Sequence, residues 1–143
     1  MKNWIPEKEY KNIFSKVPRL CVDLVIQTKS GVVLSQRDIV PWKGYWHLPG
    51  GSVCFGETIK KAAERIAKAE LGIKIKIEKV LGYAEFPEEI KMVNRYSISI
   101  VLLCSTSVKK ISGSWQAKNT GFFTQLPKPM IATHAKILKK LSK

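Results

Sequence analysis

A glycine pair followed at fixed distance by one strongly patterned helix constrains this chain more than any other feature. Residues 46–51 read Trp-His-Leu-Pro-Gly-Gly, and Ile59, Ala62, Ala63, Ile66 and Ala67 then recur at spacings of three and four. That period gathers an apolar stripe along one side of a helix. Thr58 stands where a side-chain N-cap belongs, and Gly72 where a helix ends in left-handed backbone. Glu70 falls at the end of the stripe, so its charge lies on a face destined for burial and needs a partner.

The remainder alternates helix and strand patterns. Residues 6–17 place Tyr10, Ile13, Phe14 and Val17 at helical spacing, and Pro18 stops them. Leu20–Ile26 reads as a strand interrupted by one carboxylate, Asp23, and Val32–Leu34 restarts after the Lys29-Ser30-Gly31 turn. Further strands are expected at 73–77, 79–86, 96–105 and 120–124. A loop is expected over 87–94, a turn over 111–114 and a terminal helix over 131–141. The order helix, strands, helix, strands, helix predicts a single α/β or α+β domain over residues 1–143, without repeats or linkers.

No apolar run approaches the roughly 20 residues that span a bilayer, and the N-terminus lacks the apolar core of a signal peptide. A cytoplasmic protein with no membrane partner is expected. Cys21, Cys54 and Cys104 form no CxxC pair and read as reduced packing residues. The formal net charge of +14 comes from scattered lysines rather than one basic block. It favours polyanions in general and helps collect a phosphorylated substrate, but it does not by itself mark a nucleic-acid partner.

The segment Gly51-x5-Glu57-x7-Arg65-Ile66-Ala67-Lys68-Ala69-Glu70-Leu71-Gly72-Ile73, with its Trp46-His47-Leu48-Pro49-Gly50 lead-in, resembles the Nudix box. The box elements are therefore Gly51, Glu57, Arg65, Glu70 and Gly72. The resemblance implies the Nudix fold, an α/β/α sandwich around a mixed β-sheet. It also implies a Mg²⁺-dependent hydrolase, with Mn²⁺ as a substitute metal, acting on a small nucleoside diphosphate derivative. The usual box has a glutamate directly after its arginine and a Glu-Glu pair further on, whereas this chain has Ile66 and Ala69 at the first two of these positions and keeps only Glu70. A multi-metal cluster cannot be built on that helix. The GDP-mannose mannosyl hydrolase branch shares this loss, and the run Arg65–Gly72 resembles it most. In that branch one Mg²⁺ suffices, water attacks the sugar carbon, and the products are GDP and hexose. Its members are dimers, so a homodimer is expected.

The resemblance carries roles to individual residues. Gly50 offers its carbonyl to the metal, Glu70 its carboxylate, and Gln116 stands at a third ligand position. Arg37 corresponds to a catalytic arginine on the diphosphate, Tyr96 to a substrate-contacting tyrosine, and Asp23 to a carboxylate in the sugar region. Two positions depart: an arginine after the glycine pair is Ser52 here, and the general-base histidine is Ala117. Losing a general base typically costs about 10²–10⁴ in rate.

Other readings of these residues stay open. Asp23 could face solvent at a sheet edge, and Arg37 could pair with Asp38. Glu57 is expected to pair with Arg65 and serve the loop, His47 to be structural, and His134 to lie on the surface. Glu85, Glu88 and Glu89 read either as a solvated acidic turn or as the source of a replacement base. Three functions follow: hydrolysis of a nucleotide sugar to nucleoside diphosphate and hexose, pyrophosphatase chemistry with a loop glutamate as base, or a non-catalytic module that binds nucleotide or RNA.

Overall fold

The structure, a computed structural model, describes residues 5–109 and 117–141. The expected turn at 111–114 and the candidate ligand Gln116 lie outside the described residues.

Among the described residues four helices and seven strands follow in the order α1 (Glu7–Phe14), β1 (Arg19–Thr28), β2 (Gly31–Arg37), β3 (Trp46–His47), β4 (Gly50–Ser52), α2 (Ile59–Leu71), β5 (Lys76–Phe86), α3 (Glu89–Val93), β6 (Ser97–Ser105), β7 (Ala117–Phe123) and α4 (Ala132–Leu141). The strands form one sheet in the order β3-β2-β1-β6-β5, with β4 added to β1 and β7 to β2. β1 runs parallel to β6 from Arg19↔Ser97 to Gln27↔Ser105, and the other pairings are antiparallel. The sheet is therefore mixed.

Both faces of the sheet are covered. Val22, Leu24 and Ile26 of β1 pack under α2 with Ala62, Ala63, Ile66, Ala67 and Leu71. Val25, on the alternate face, joins Leu34, Leu48, Val101 and Leu138 beneath α4. A strand buried on both sides reads as a continuous apolar run, as β1 does. Each large apolar side chain taken fully out of water contributes about 1.5–3 kcal/mol, so the stripe on α2 fixes that helix to the sheet. The helix begins as its sequence dictates, with Thr58 Oγ1 accepting from the Lys61 amide at 3.1 Å. It ends at Gly72, whose φ of 69° puts it in the left-handed region.

Several expectations need correction. The strands expected at 73–77 and 79–86 are one strand, β5, whose register shifts at Ile77/Lys79 and Val80/Gly82. Bulges absorb the irregular pattern without ending the strand. The loop expected over 87–94 contains α3, closed by Asn94 in left-handed conformation at φ 52°. No strand is expected between Leu34 and residue 73, yet β3 and β4 form there. All three cysteines are free and buried, as their spacing suggests. Among the described residues no helix is long and apolar enough to cross a membrane.

Candidate active site

The site begins at a fork in the sheet. One edge of β1 pairs with β2 at Gln27↔Val32 and Thr28↔Gly31. Further back the same edge pairs with β4, at Cys21↔Ser52, Val22↔Gly51 and Asp23↔Gly50. The chain between β2 and β4 therefore splays away, and a cleft of about 770 Å³ opens there. Gly50 is pressed so tightly against β1 that a Cβ on it would collide with Asp23 Oδ1 and the Val22 carbonyl, at 2.2 and 2.5 Å. Only glycine fits that approach.

One wall of the cleft is acidic. Glu70 follows Ala63 and Ile66 on the buried face of α2 and reaches the cleft from the end of that helix. Its Oε2 is buried and without a hydrogen-bond partner. Burial pushes the Glu70 carboxyl up to about 8, against the Gly50 amide and the positive charges of Arg37 and Arg65; the charge of Asp23 adds to the rise. Asp23 is 6% exposed and lies between β6 and β4, so it faces neither solvent nor a sheet edge. Its Oδ2 accepts from His134 Nε2 at 3.2 Å. The Leu48 amide donates to His134 Nδ1 at 3.1 Å, so the ring carries its proton on Nε2.

His134 is thus not a surface residue. It is 4% exposed, because Ile131, His134 and Leu138 share the inner face of α4 and its approach at spacings of three and four. His47 also lines the cleft, with Nδ1 2.7 Å from the Leu48 carbonyl and Nε2 buried without a partner. Burial lowers His47 to about 4.

Cationic side chains line the same cleft. Arg37, at the end of β2, gives its Nε to the Pro41 carbonyl at 2.6 Å and has no ion pair with Asp38. Burial pulls Arg37 below its ordinary value, and the fields of Arg95 and Arg19 add to the fall while Glu70 opposes it. Arg19 occupies the face of β1 shared with Cys21 and Asp23, two and four residues on. Sequence reading missed Arg19, although that period of two was the available signal.

The remaining box residues build the frame. Arg65 grips Glu57 through Nε to Oε2 at 2.7 Å and Nη2 to Oε1 at 3.0 Å, and its Nη2 also reaches the Ser52 carbonyl at 2.8 Å. The Cys54 amide donates to Glu57 Oε1 at 2.9 Å. The hydrogen bond from Arg65 holds the Glu57 carboxyl down at about 2, against its desolvation. This pair ties the loop after β4 to α2, as expected from the sequence.

Tyr96, Glu85 and Glu88 are not among the residues lining the cleft, whereas Glu89 is. Tyr96 donates its hydroxyl to Glu85 Oε2 at 2.7 Å. Ala117 pairs with Arg37 across β2 and β7, while Gln116 before it lies outside the described residues. The segment 85–89 is not a solvated turn throughout. Glu85 and Glu88 are exposed, but Glu89 is 4% exposed and held by Arg95 Nη2 at 2.8 Å and by the Ser97 hydroxyl at 2.6 Å. Burial works to raise the Glu89 carboxyl, and those hydrogen bonds overcome it, leaving it below its ordinary value.

Comparison with known proteins agrees with this architecture. Residues 17–138 match the NUDIX domain. The chain is 43% identical over 81 residues to the low-salt glycan biosynthesis protein Agl8 of Haloferax volcanii, an alignment covering 57% of this chain and 52% of that protein. The chain thus spans about half the length of that relative. It is 32% identical over 123 residues to an ADP-ribose pyrophosphatase of Methanocaldococcus jannaschii, covering 85% of this chain and 72% of the relative. The crystal structure of a MutT NUDIX hydrolase from Burkholderia pseudomallei superposes with a TM-score of 0.80 at 22% identity, over 88% of this chain and 99% of the other. With its fold, its box and 17–138 all matched, the chain belongs to the Nudix family.

Proposed function

We propose that this chain hydrolyses a nucleoside diphosphate sugar with the help of one divalent cation, Mg²⁺ or Mn²⁺. The observation that carries the reading is Glu70, the one glutamate that the second half of the box retains, which enters the cleft with a buried and unpartnered oxygen. A desolvated carboxylate of that kind calls for a cation. Among the described residues no group of three or more His, Cys, Asp or Glu could hold a metal. Glu70 and a backbone carbonyl are few protein oxygens, and Mg²⁺ is the ion that habitually completes so few with water and phosphate. Glu70 and the carbonyl of Gly50 would hold it, with Gln116 as a further candidate. Such an ion neutralises charge on the diphosphate and on the departing group.

The chain's own residues supply the rest. Arg37, which lines the cleft, orients the diphosphate. With Glu70 given to the cation, Asp23 is the other buried carboxylate of the cleft without an arginine partner, and His134 fixes its orientation, so Asp23 takes the proton of the attacking water. Glu89 is committed to Arg95, and Glu85 to Tyr96, which leaves neither free for that task. The nucleotide-sugar assignment draws support from the glycan-biosynthesis relative and from the loss of the box glutamates at Ile66 and Ala69.

A second reading, cleavage at phosphorus, is favoured by the ADP-ribose pyrophosphatase relative, whose alignment covers 85% of this chain. Products decide between them. Incubation with GDP-mannose and GDP-glucose plus Mg²⁺ is expected to give GDP and free hexose, while ADP-ribose, whose diphosphate joins the ribose at C5 and not at the anomeric carbon, is expected to stay intact. Nucleoside monophosphate and sugar phosphate would establish the second reading instead. Absence of turnover would leave a nucleotide-binding module and defeat both.

A further inference from the structure

We propose that Arg19 is a diphosphate-binding residue of this cleft, standing in space for the arginine that the chain lacks at Ser52. The inference rests on the nucleoside diphosphate reading above and adds a residue that the box does not contain.

Arg19 is the first residue of β1, and β1 pairs with β4 so that Cys21 lies opposite Ser52. The guanidinium reaches across that pairing. Its Nη1 is 3.4 Å from Ser52 Oγ and 2.7 Å from the Tyr10 hydroxyl, and its Nε donates to Ser97 Oγ at 3.0 Å. All three partners are neutral hydroxyls. Among the described residues no carboxylate lies within ion-pair distance of Arg19. The nearest acid in the chain of bonds is Glu89, reached through Ser97, and Glu89 already carries the bidentate charge of Arg95.

A guanidinium cannot shed its proton; burial works against the charge of Arg19, but Cys21, Tyr10 and the more distant Glu89 outweigh it, and no carboxylate among the described residues takes up its fork. Arg19 lines the same cleft as Arg37 and Glu70, and among the described residues Arg37 too has no carboxylate within ion-pair distance. Two such arginines in one cleft make a place for two adjacent phosphate groups, which arginine forks recognise geometrically as well as by charge. Tyr10 and Ser97 do not neutralise the guanidinium; they fix its plane. A serine at position 52 leaves the room into which a longer side chain on β4 would otherwise extend.

The test is binding of inorganic pyrophosphate, ADP and GDP by titration calorimetry, in EDTA so that no metal bridges the phosphates. Arg19→Gln is expected to bind pyrophosphate and both nucleotides about ten- to a hundredfold more weakly, the range given by one lost charge-assisted hydrogen bond. Binding of the unphosphorylated nucleosides should not change. The double variant Arg19→Leu/Ser52→Arg is expected to recover most of the lost affinity, which a merely structural role of Arg19 would not allow. If Arg19→Gln does not fold, Arg19→Lys decides the matter: it keeps the charge, loses the fork, and should still bind pyrophosphate several-fold more weakly.

Equal binding of pyrophosphate by the wild type and a folded Arg19 variant would overturn the assignment while leaving the hydrolase reading intact. Arg19-dependent pyrophosphate binding without turnover of any nucleotide sugar would uphold the assignment and defeat the hydrolase reading. A wild type that binds neither pyrophosphate nor nucleotide overturns the assignment as well.

Discussion

His134 in α4 hydrogen-bonds Asp23 in β1 at 3.2 Å, although 111 positions separate them in the chain. The same ring accepts the Leu48 amide at 3.1 Å, so one side chain satisfies a buried carboxylate and a buried backbone donor. His134→Ala would leave both without a partner. An unsatisfied buried group costs about 1–3 kcal/mol, and more when it is charged, so we expect a loss of roughly 2–4 kcal/mol in urea denaturation. A change below half a kcal/mol would show that the contact is not formed in solution.

Asp23→Asn tests the other partner. The amide oxygen still accepts from His134, so stability should shift little. Hydrolysis should fall by about 10²–10⁴, the cost of removing a general base. By contrast Glu85→Gln and Glu88→Gln, at exposed positions away from the acidic wall, should leave turnover within about twofold, since such changes rarely propagate. Retention of full activity by Asp23→Asn with loss in Glu88→Gln would reverse the two roles.

Glu70 predicts a pH dependence of metal binding. Its carboxyl is pushed from the ordinary 4.5 up to about 8 in the folded protein. Without metal the folded chain keeps the proton between those values while the unfolded chain loses it. The Glu70 contribution to stability is therefore greatest below 4.5 and falls as pH rises towards 8. A cation binds only the ionised form, so its apparent affinity should rise over the same window. Thermal shifts induced by Mg²⁺ should accordingly grow from pH 6 to pH 8 in the wild type. Glu70→Gln should show no such growth and should lose turnover.

The Glu57–Arg65 pair predicts the opposite trend at low pH. Glu57 is held down at about 2, so its stabilisation is complete above 4.5 and is lost as pH falls through 2. Arg65→Met removes the bonds to Glu57 and to the Ser52 carbonyl, and we expect a loss of about 2–3 kcal/mol. The acid limb of the stability profile should also flatten in that variant. An unchanged acid limb would assign acid unfolding to other carboxylates.

The sequence by itself determined the box and its helix. Thr58, the apolar stripe and Gly72 act through neighbours within a few positions, so the cap, buried face and termination of α2 follow from local chemistry. The Glu57–Arg65 pair, eight positions apart across one loop, was legible for the same reason. So was the loss of carboxylates at Ile66 and Ala69, which leaves Glu70 alone on the buried face.

Tertiary structure decided what surrounds that carboxylate. The fork of β1 between β2 and β4 brings Gly50 onto Asp23, and α4 brings His134 onto the same residue. No local pattern encodes a contact across 111 positions, so a histidine read as a surface residue is a buried partner of Asp23. Glu89, read as part of an acidic turn, is buried because Arg95 and Ser97 converge on it. Arg19 shows the division most directly. Strand alternation alone put it on the face of Asp23, but only the pairing of β1 with β4 set its guanidinium against Ser52, the position directly after the glycine pair.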